Sequence, residues 1–154
     1  DTVEYIWGYR DNGTHVELCE FPALTCYDNG VIEAQWSHNQ GLAGEFWPYF
    51  LYRYNAETDQ YEICGGADAW DKSVAKTKEQ GEDFPDDIDA DQDGVVYYLL
   101  PADWDGNYDM EPVDGAKYRT WRESFLEGAS ETDDIWFWDL KEENIAILGA
   151  EKPD

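Results

Sequence analysis

Asp87, Asp89, Asp91 and Asp93 alternate along the chain, and Gly94 follows them. From Asp89 the run reads D-x-D-x-D-G, the first half of an EF-hand-type calcium loop. Alternation suits chelation because a turning loop aims successive carboxylates at one centre, with glycine at the sharp bend. Val95 would then supply the seventh-position carbonyl. The match ends there. Leu100 stands where a bidentate glutamate is needed, and strand-forming Val95–Leu100 takes the place of the exiting helix, so this is not an EF-hand. A second loop has the same rhythm in Asp103, Asp105, Asn107 and Asp109, with Gly106 between. Oxygen ligands at this spacing suit Ca²⁺ better than zinc, which prefers sulfur and imidazole. Either loop is complete alone or takes a carboxylate from the other. The plainer reading of both is an acidic surface turn, since Asp, Asn and Gly dominate ordinary turns.

Catalysis finds less support. A hydrolytic site needs a nucleophile, a base and an orienting group within reach of one another. The two histidines are His15, on an expected strand, and His38, at the end of another, and their spacing selects no nucleophile. There is no GxSxG, HExxH or phosphate-cradling glycine loop. Carboxylate pairs for glycosidic cleavage carry no signal among 36 acids, where pairs fall everywhere by chance. A non-enzymatic domain is favoured over a hydrolase acting on glycans or peptides.

The aromatic residues point elsewhere. Eight tryptophans and eleven tyrosines are more than a small core usually needs, and aromatic faces stack on sugar rings and peptides alike. Trp7, Trp36, Trp121, Trp136 and Trp138 fall in expected strands or helices and read as core. Trp47, beside Pro48, and Trp104 with Tyr108 in the second acidic loop are the candidates for an exposed binding surface, with carbohydrate as the ligand. The competing reading is a structural protein-interaction domain with no small-molecule site.

Thirty-six Asp and Glu against ten Lys and Arg give a formal net charge of −26. Such a surface repels phosphate backbones and anionic lipid, which excludes nucleic acid as a partner class and makes counter-ions or chelated cations matter to stability. No stretch approaches the roughly 18 apolar residues of a membrane span. A hydrophobic fraction of 42% and an aromatic fraction of 16% argue against disorder. The 154 residues fit one domain, 1–154; opening at Asp1 without signal peptide, lipid-attachment cysteine or initiator Met, they read as a piece of a longer envelope protein. Cys19, Cys26 and Cys64 are odd in number and lack metal-type spacing. A Cys19–Cys26 bridge fits if the two flank a turn; buried thiols are the favoured reading.

The elements that must position these residues are mostly strands. Val3–Arg10, His15–Phe21, Ala23–Tyr27, Val31–His38, Phe46–Tyr54, Tyr61–Cys64, Val95–Leu100 and Ile135–Trp138 have strand patterns. Asp11-Asn12-Gly13, Asp28-Asn29-Gly30 and Asn55–Gln60 mark turns between them. Asp71–Gln80 reads as a short helix capped by Asp71. Gly115–Glu127 is the clearest helix, with Tyr118, Trp121, Arg122 and Phe125 on one face, Asp114 as cap and Gly128 as stop. Asp139–Leu148 closes the chain as a third helix, with Asp139 and Glu142 as a capping box and Gly149 as its end. The fold class expected is α+β: an antiparallel β-meander sheet of about six to eight strands with two or three short helices mostly toward the C-terminus.

Four segments carry a resemblance: EYIWGYRDNG (Glu4–Gly13), YDNGVIEAQWSHNQG (Tyr27–Gly41), FLYRYNAETDQYE (Phe50–Glu62) and EENIAILGA (Glu142–Ala150). In these the chain resembles a group of uncharacterised secreted or lipoprotein-type proteins of anaerobic gut Firmicutes. The resemblance implies an extracellular or cell-envelope-attached location and adds no catalytic residue.

Overall fold

The computed structural model describes residues 4–10, 13–21, 23–36 and 41–132, with side chains described from residue 23 onward. Strands β1 (Glu4–Arg10) and β2 (Gly13–Phe21) form a two-stranded antiparallel ladder in which Arg10 faces Gly13. The other five strands build one antiparallel sheet in chain order: β3 (Leu24–Cys26), β4 (Val31–Gln35), β5 (Tyr49–Asn55), β6 (Gln60–Asp71) and β7 (Val95–Leu100). Helix α1 (Gly115–Leu126) follows β7. The α+β class and the sheet of sequential neighbours match the sequence reading, but the main sheet has five strands, not six to eight. The stretches expected to form the strand Ile135–Trp138 and the helix Asp139–Leu148 lie outside the described residues.

Local chemistry accounts for the hairpins. Between β3 and β4 the Gly30 N–H meets the Tyr27 carbonyl at 3.0 Å and Gly30 takes φ +85°, a left-handed conformation that suits glycine. Asn29 at the tip donates from Nδ2 to the last helix carbonyls, Phe125 O at 3.0 Å and Leu126 O at 2.8 Å. One turn residue thus satisfies acceptors that a helix C-terminus leaves unpaired.

Two expectations fail for tertiary reasons. The strand expected over Tyr61–Cys64 is longer: β6 runs on through Gly65 and Gly66 to Asp71. A Cβ on Gly65 would stand 3.0 Å from Trp121 Cζ2 and 3.2 Å from Phe125 Cζ; one on Gly66 would stand 2.7 Å from Phe50 Cδ1. These glycines allow rings to lie directly on the backbone of both sheet faces. The expected helix Asp71–Gln80 is instead a series of turns. Asp71 Oδ1 accepts from the Ser73 N–H at 2.7 Å, the Trp70 indole takes the Ala75 carbonyl at 2.9 Å, and Thr77 bridges to Asp83. Side chains therefore compete for the backbone groups a helix would use.

The sheet is packed on both faces, as period-two alternation requires. On one face Tyr27, Val31, Tyr49, Leu51 and Ala67 meet Leu126, Phe125, Trp121 and Tyr118 of α1. On the other, Trp70, Val96, Tyr98 and Leu100 pack with Phe84, and Trp36, Phe50, Ile88, Trp104 and Met110 surround them. This second face is covered by the long β6–β7 and β7–α1 connections, so both acidic loops lie on segments anchored to the core. Among the described residues no helix is long and apolar enough to cross a membrane.

Candidate functional site

The first acidic loop is folded by its own carboxylates. Asp89 Oδ2 accepts from the Gly94 N–H at 3.0 Å and Asp93 Oδ1 from the Val95 N–H at 2.8 Å. Gln92 and Gly94 take φ +58° and +83°, which turns the chain sharply into β7. Tyr97 and Val113 exchange backbone hydrogen bonds of 2.8 and 2.7 Å, drawing the segment before α1 against β7. Asp114 is thereby set beside the loop: its Oδ1 accepts from the Ala90 N–H at 2.9 Å and its Oδ2 from the Ala116 N–H at 3.1 Å. These amide donors, Ala116 first, hold the Asp114 carboxyl below the usual carboxylate range.

Carboxylate oxygens of Asp89, Asp91 and Asp114 all lie within 4.8 Å of one another. That separation is shorter than the roughly 8 Å screening length of physiological salt, so salt screens their repulsion only in part. Asp89 is 6% exposed, and its Oδ1 is buried with no hydrogen-bond partner. Among the described residues the only other buried side-chain polar atom without a partner is Trp36 Nε1.

Of the first-loop residues expected to ligate, Asp89 and Asp91 converge; Asp87 is exposed and stands outside the cluster, as does Asp93. In the second loop Asp103, Asp105, Asn107 and Asp109 are exposed. Asp105 is turned onto its own loop, accepting from the Asn107 N–H and Nδ2 at 3.0 Å each, and these bonds lower its pKa. The two loops do not share carboxylates in any cluster among the described residues. Asp114 went unseen as a third member because its position before the helix already explains it as a cap. Only the Tyr97–Val113 pairing across the fold brings it beside Asp89 and Asp91.

Of the three aromatic candidates, Trp104 and Tyr108 are in ring contact, and Trp47 reaches their neighbour Trp36 through a hydrogen bond to its backbone. Trp104 stacks on Trp36, centroids 5.6 Å apart and planes at 20°, and lies 5.9 Å from Phe50 and 5.4 Å from Tyr108. Trp47 donates its indole N–H to the Trp36 carbonyl at 2.6 Å. Trp36 thus links Trp47 to Trp104 and Tyr108 although the loops are far apart in sequence. Trp47 and Tyr108 are 41% and 39% exposed, while Trp104 is half-buried. Every polar tip is engaged internally: Trp104 Nε1 donates to the Asn107 carbonyl at 2.7 Å, and the Tyr108 hydroxyl donates to Asp68. Asp68 is largely desolvated, which raises its carboxyl pKa against the lowering effect of Tyr108; burial and the Asp68 contact also push the Tyr108 hydroxyl up.

His15 lies on β2 and His38 outside the described residues. Cys64 is half-buried and donates its thiol to the Leu51 carbonyl at 3.3 Å, and burial raises its pKa. Cys26 sits half-buried on β3; the Cys19 side chain, and with it the Cys19–Cys26 bridge, lies outside the described side chains. Comparison with family models, curated proteins and solved structures gives no match.

Proposed function

We propose that the chain is a non-enzymatic extracellular or envelope-attached binding domain that holds neutral oligosaccharide on the aromatic face built by Trp47, Trp104 and Tyr108. The supporting observation is the ring cluster of Trp36, Trp104 and Tyr108, with Trp47 tied to the Trp36 carbonyl beside it. Trp47 and Tyr108 are partly exposed to solvent while their polar atoms are tied inward, so the rings are held before any ligand arrives. Flat apolar rings complement the C–H faces of pyranose sugars. The net charge of −26 selects against sulfated, phosphorylated or uronic ligands and against nucleic acid.

A glycan array probed with the wild-type chain and with Trp47→Ala/Tyr108→Ala checks the reading. Binding to a defined set of neutral glycans, lost in the double variant, is the expected result. An empty array together with capture of a protein partner would replace it with the structural interaction domain.

A further inference from the structure

We propose that Asp89, Asp91 and Asp114 bind one divalent cation of the calcium class, joining the β6–β7 loop to the start of helix α1. The buried, unpartnered Asp89 Oδ1 is the observation that goes beyond an acidic cluster. A desolvated carboxylate oxygen without donor or counter-charge is costly, and native proteins seldom leave one unpaired. A water molecule would satisfy the lone pair but add no positive charge among the three gathered carboxylates. A cation answers both needs at once.

The geometry favours calcium. Oxygens bound to one Ca²⁺ at about 2.3–2.6 Å stand no more than about 5 Å apart, which accommodates carboxylates gathered within 4.8 Å. Magnesium, at about 2.0–2.1 Å, demands a tighter octahedron and gives up its waters reluctantly. The donor set is oxygen alone, as a hard cation requires. Asp114 spends one lone pair of each oxygen on backbone N–H groups and keeps others for a metal. Arg119 is the competing source of positive charge. A Cβ on Gly115 would meet its Nη1 at 3.1 Å and Asp91 Oδ2 at 3.5 Å, so the guanidinium flanks exposed Asp91. It does not hydrogen-bond Asp89 Oδ1. The cation site is independent of the aromatic face and stands or falls without it.

The test is calorimetric titration of the EDTA-stripped full chain with CaCl₂ and, separately, MgCl₂, paired with thermal melts at matched ionic strength. One Ca²⁺ per chain is expected, with a Kd of about 0.1–1 mM as in extracellular modules, and a melting rise of about 1–6 °C at 1 mM. Asp91→Asn, at an exposed position, should weaken binding tenfold or more with folding intact. Asp89→Asn keeps an acceptor for the Gly94 N–H, so it should raise the metal-free melting temperature while abolishing the calcium response. Asp105→Asn in the second loop should leave the titration unchanged. Equal shifts with Ca²⁺, Mg²⁺ and NaCl, or calcium binding that survives both Asp89→Asn and Asp91→Asn, would overturn the assignment.

Discussion

Arg122→Met tests how the helix is locked to the sheet. Arg122 Nη2 donates to Glu33 Oε2 and to the Tyr27 hydroxyl, both at 2.7 Å, and its guanidinium lies 5.9 Å from the Tyr27 ring centre. Glu33 is 9% exposed on β4, so the substitution strands a buried carboxylate whose remaining described contact is Tyr27 at 3.4 Å. Hydrogen bonds to charged groups contribute about 1.5–3 kcal/mol each, and breaking a fully buried pair costs about 3–5 kcal/mol. The Arg122 side chain keeps 32% of its exposure, which places the loss lower, at about 2–4 kcal/mol, or a melting drop of roughly 4–16 °C. Urea melts of Arg122→Met, Glu33→Leu and the double variant supply the cycle. The double variant should recover most of the loss, because an apolar pair leaves no charge buried. A loss below about 0.5 kcal/mol in Arg122→Met, or no recovery in the double variant, would refute the reasoning.

Gly65→Ala should cost about 1–3 kcal/mol in urea melts, since its Cβ must displace the Trp121 and Phe125 rings that contact the strand. Asn29→Ala should cost about 1–2 kcal/mol by the same measurement, through loss of both helix-terminal hydrogen bonds. Asp68→Asn should stabilise the chain at neutral pH, where wild type carries a desolvated charge. Because the folded-state pKa of Asp68 is raised, the wild-type penalty exists above that pKa and fades as pH falls through it toward the ordinary carboxylate value. Melting curves across that range should show the variant's advantage shrinking with acid; an advantage that grows with acid would contradict the assignment.

The parts legible in the sequence are those set by local chemistry. Asp28-Asn29-Gly30 needs no tertiary context to specify a tight turn, and Asp114 and Glu127-Gly128 bound α1 near where the pattern places them. Tyr118, Trp121, Arg122 and Phe125 do face the sheet: Tyr118 stacks on Tyr97 at 4.2 Å, and its hydroxyl meets that of Tyr49 at 3.0 Å. What was hidden depends on neighbours remote in the chain. The strand expected to stop at Cys64 continues through Gly65 and Gly66, where rings from remote segments lie against the backbone. Asp71–Gln80 resembles a helix until Trp70 takes the Ala75 carbonyl and Lys78 is drawn to Tyr98 and Glu82. In the first acidic loop, alternation put Asp87, Asp89, Asp91 and Asp93 on equal terms and gave no means of separating the pair that gathers with Asp114 from the other two. Trp36, read as core, does pack on the second core cluster, and its carbonyl and its ring also contact Trp47 and Trp104 from different loops.

The most direct measurement of the binding account is the set of tryptophan indole N–H resonances in a ¹⁵N-labelled chain, titrated with the neutral oligosaccharides that score on the array. The account predicts that Trp36, Trp47 and Trp104 shift together and saturably while Trp70, buried, and Trp121, at the helix, stay in place. Movement confined to Trp121, or no movement with any sugar tested, would contradict it.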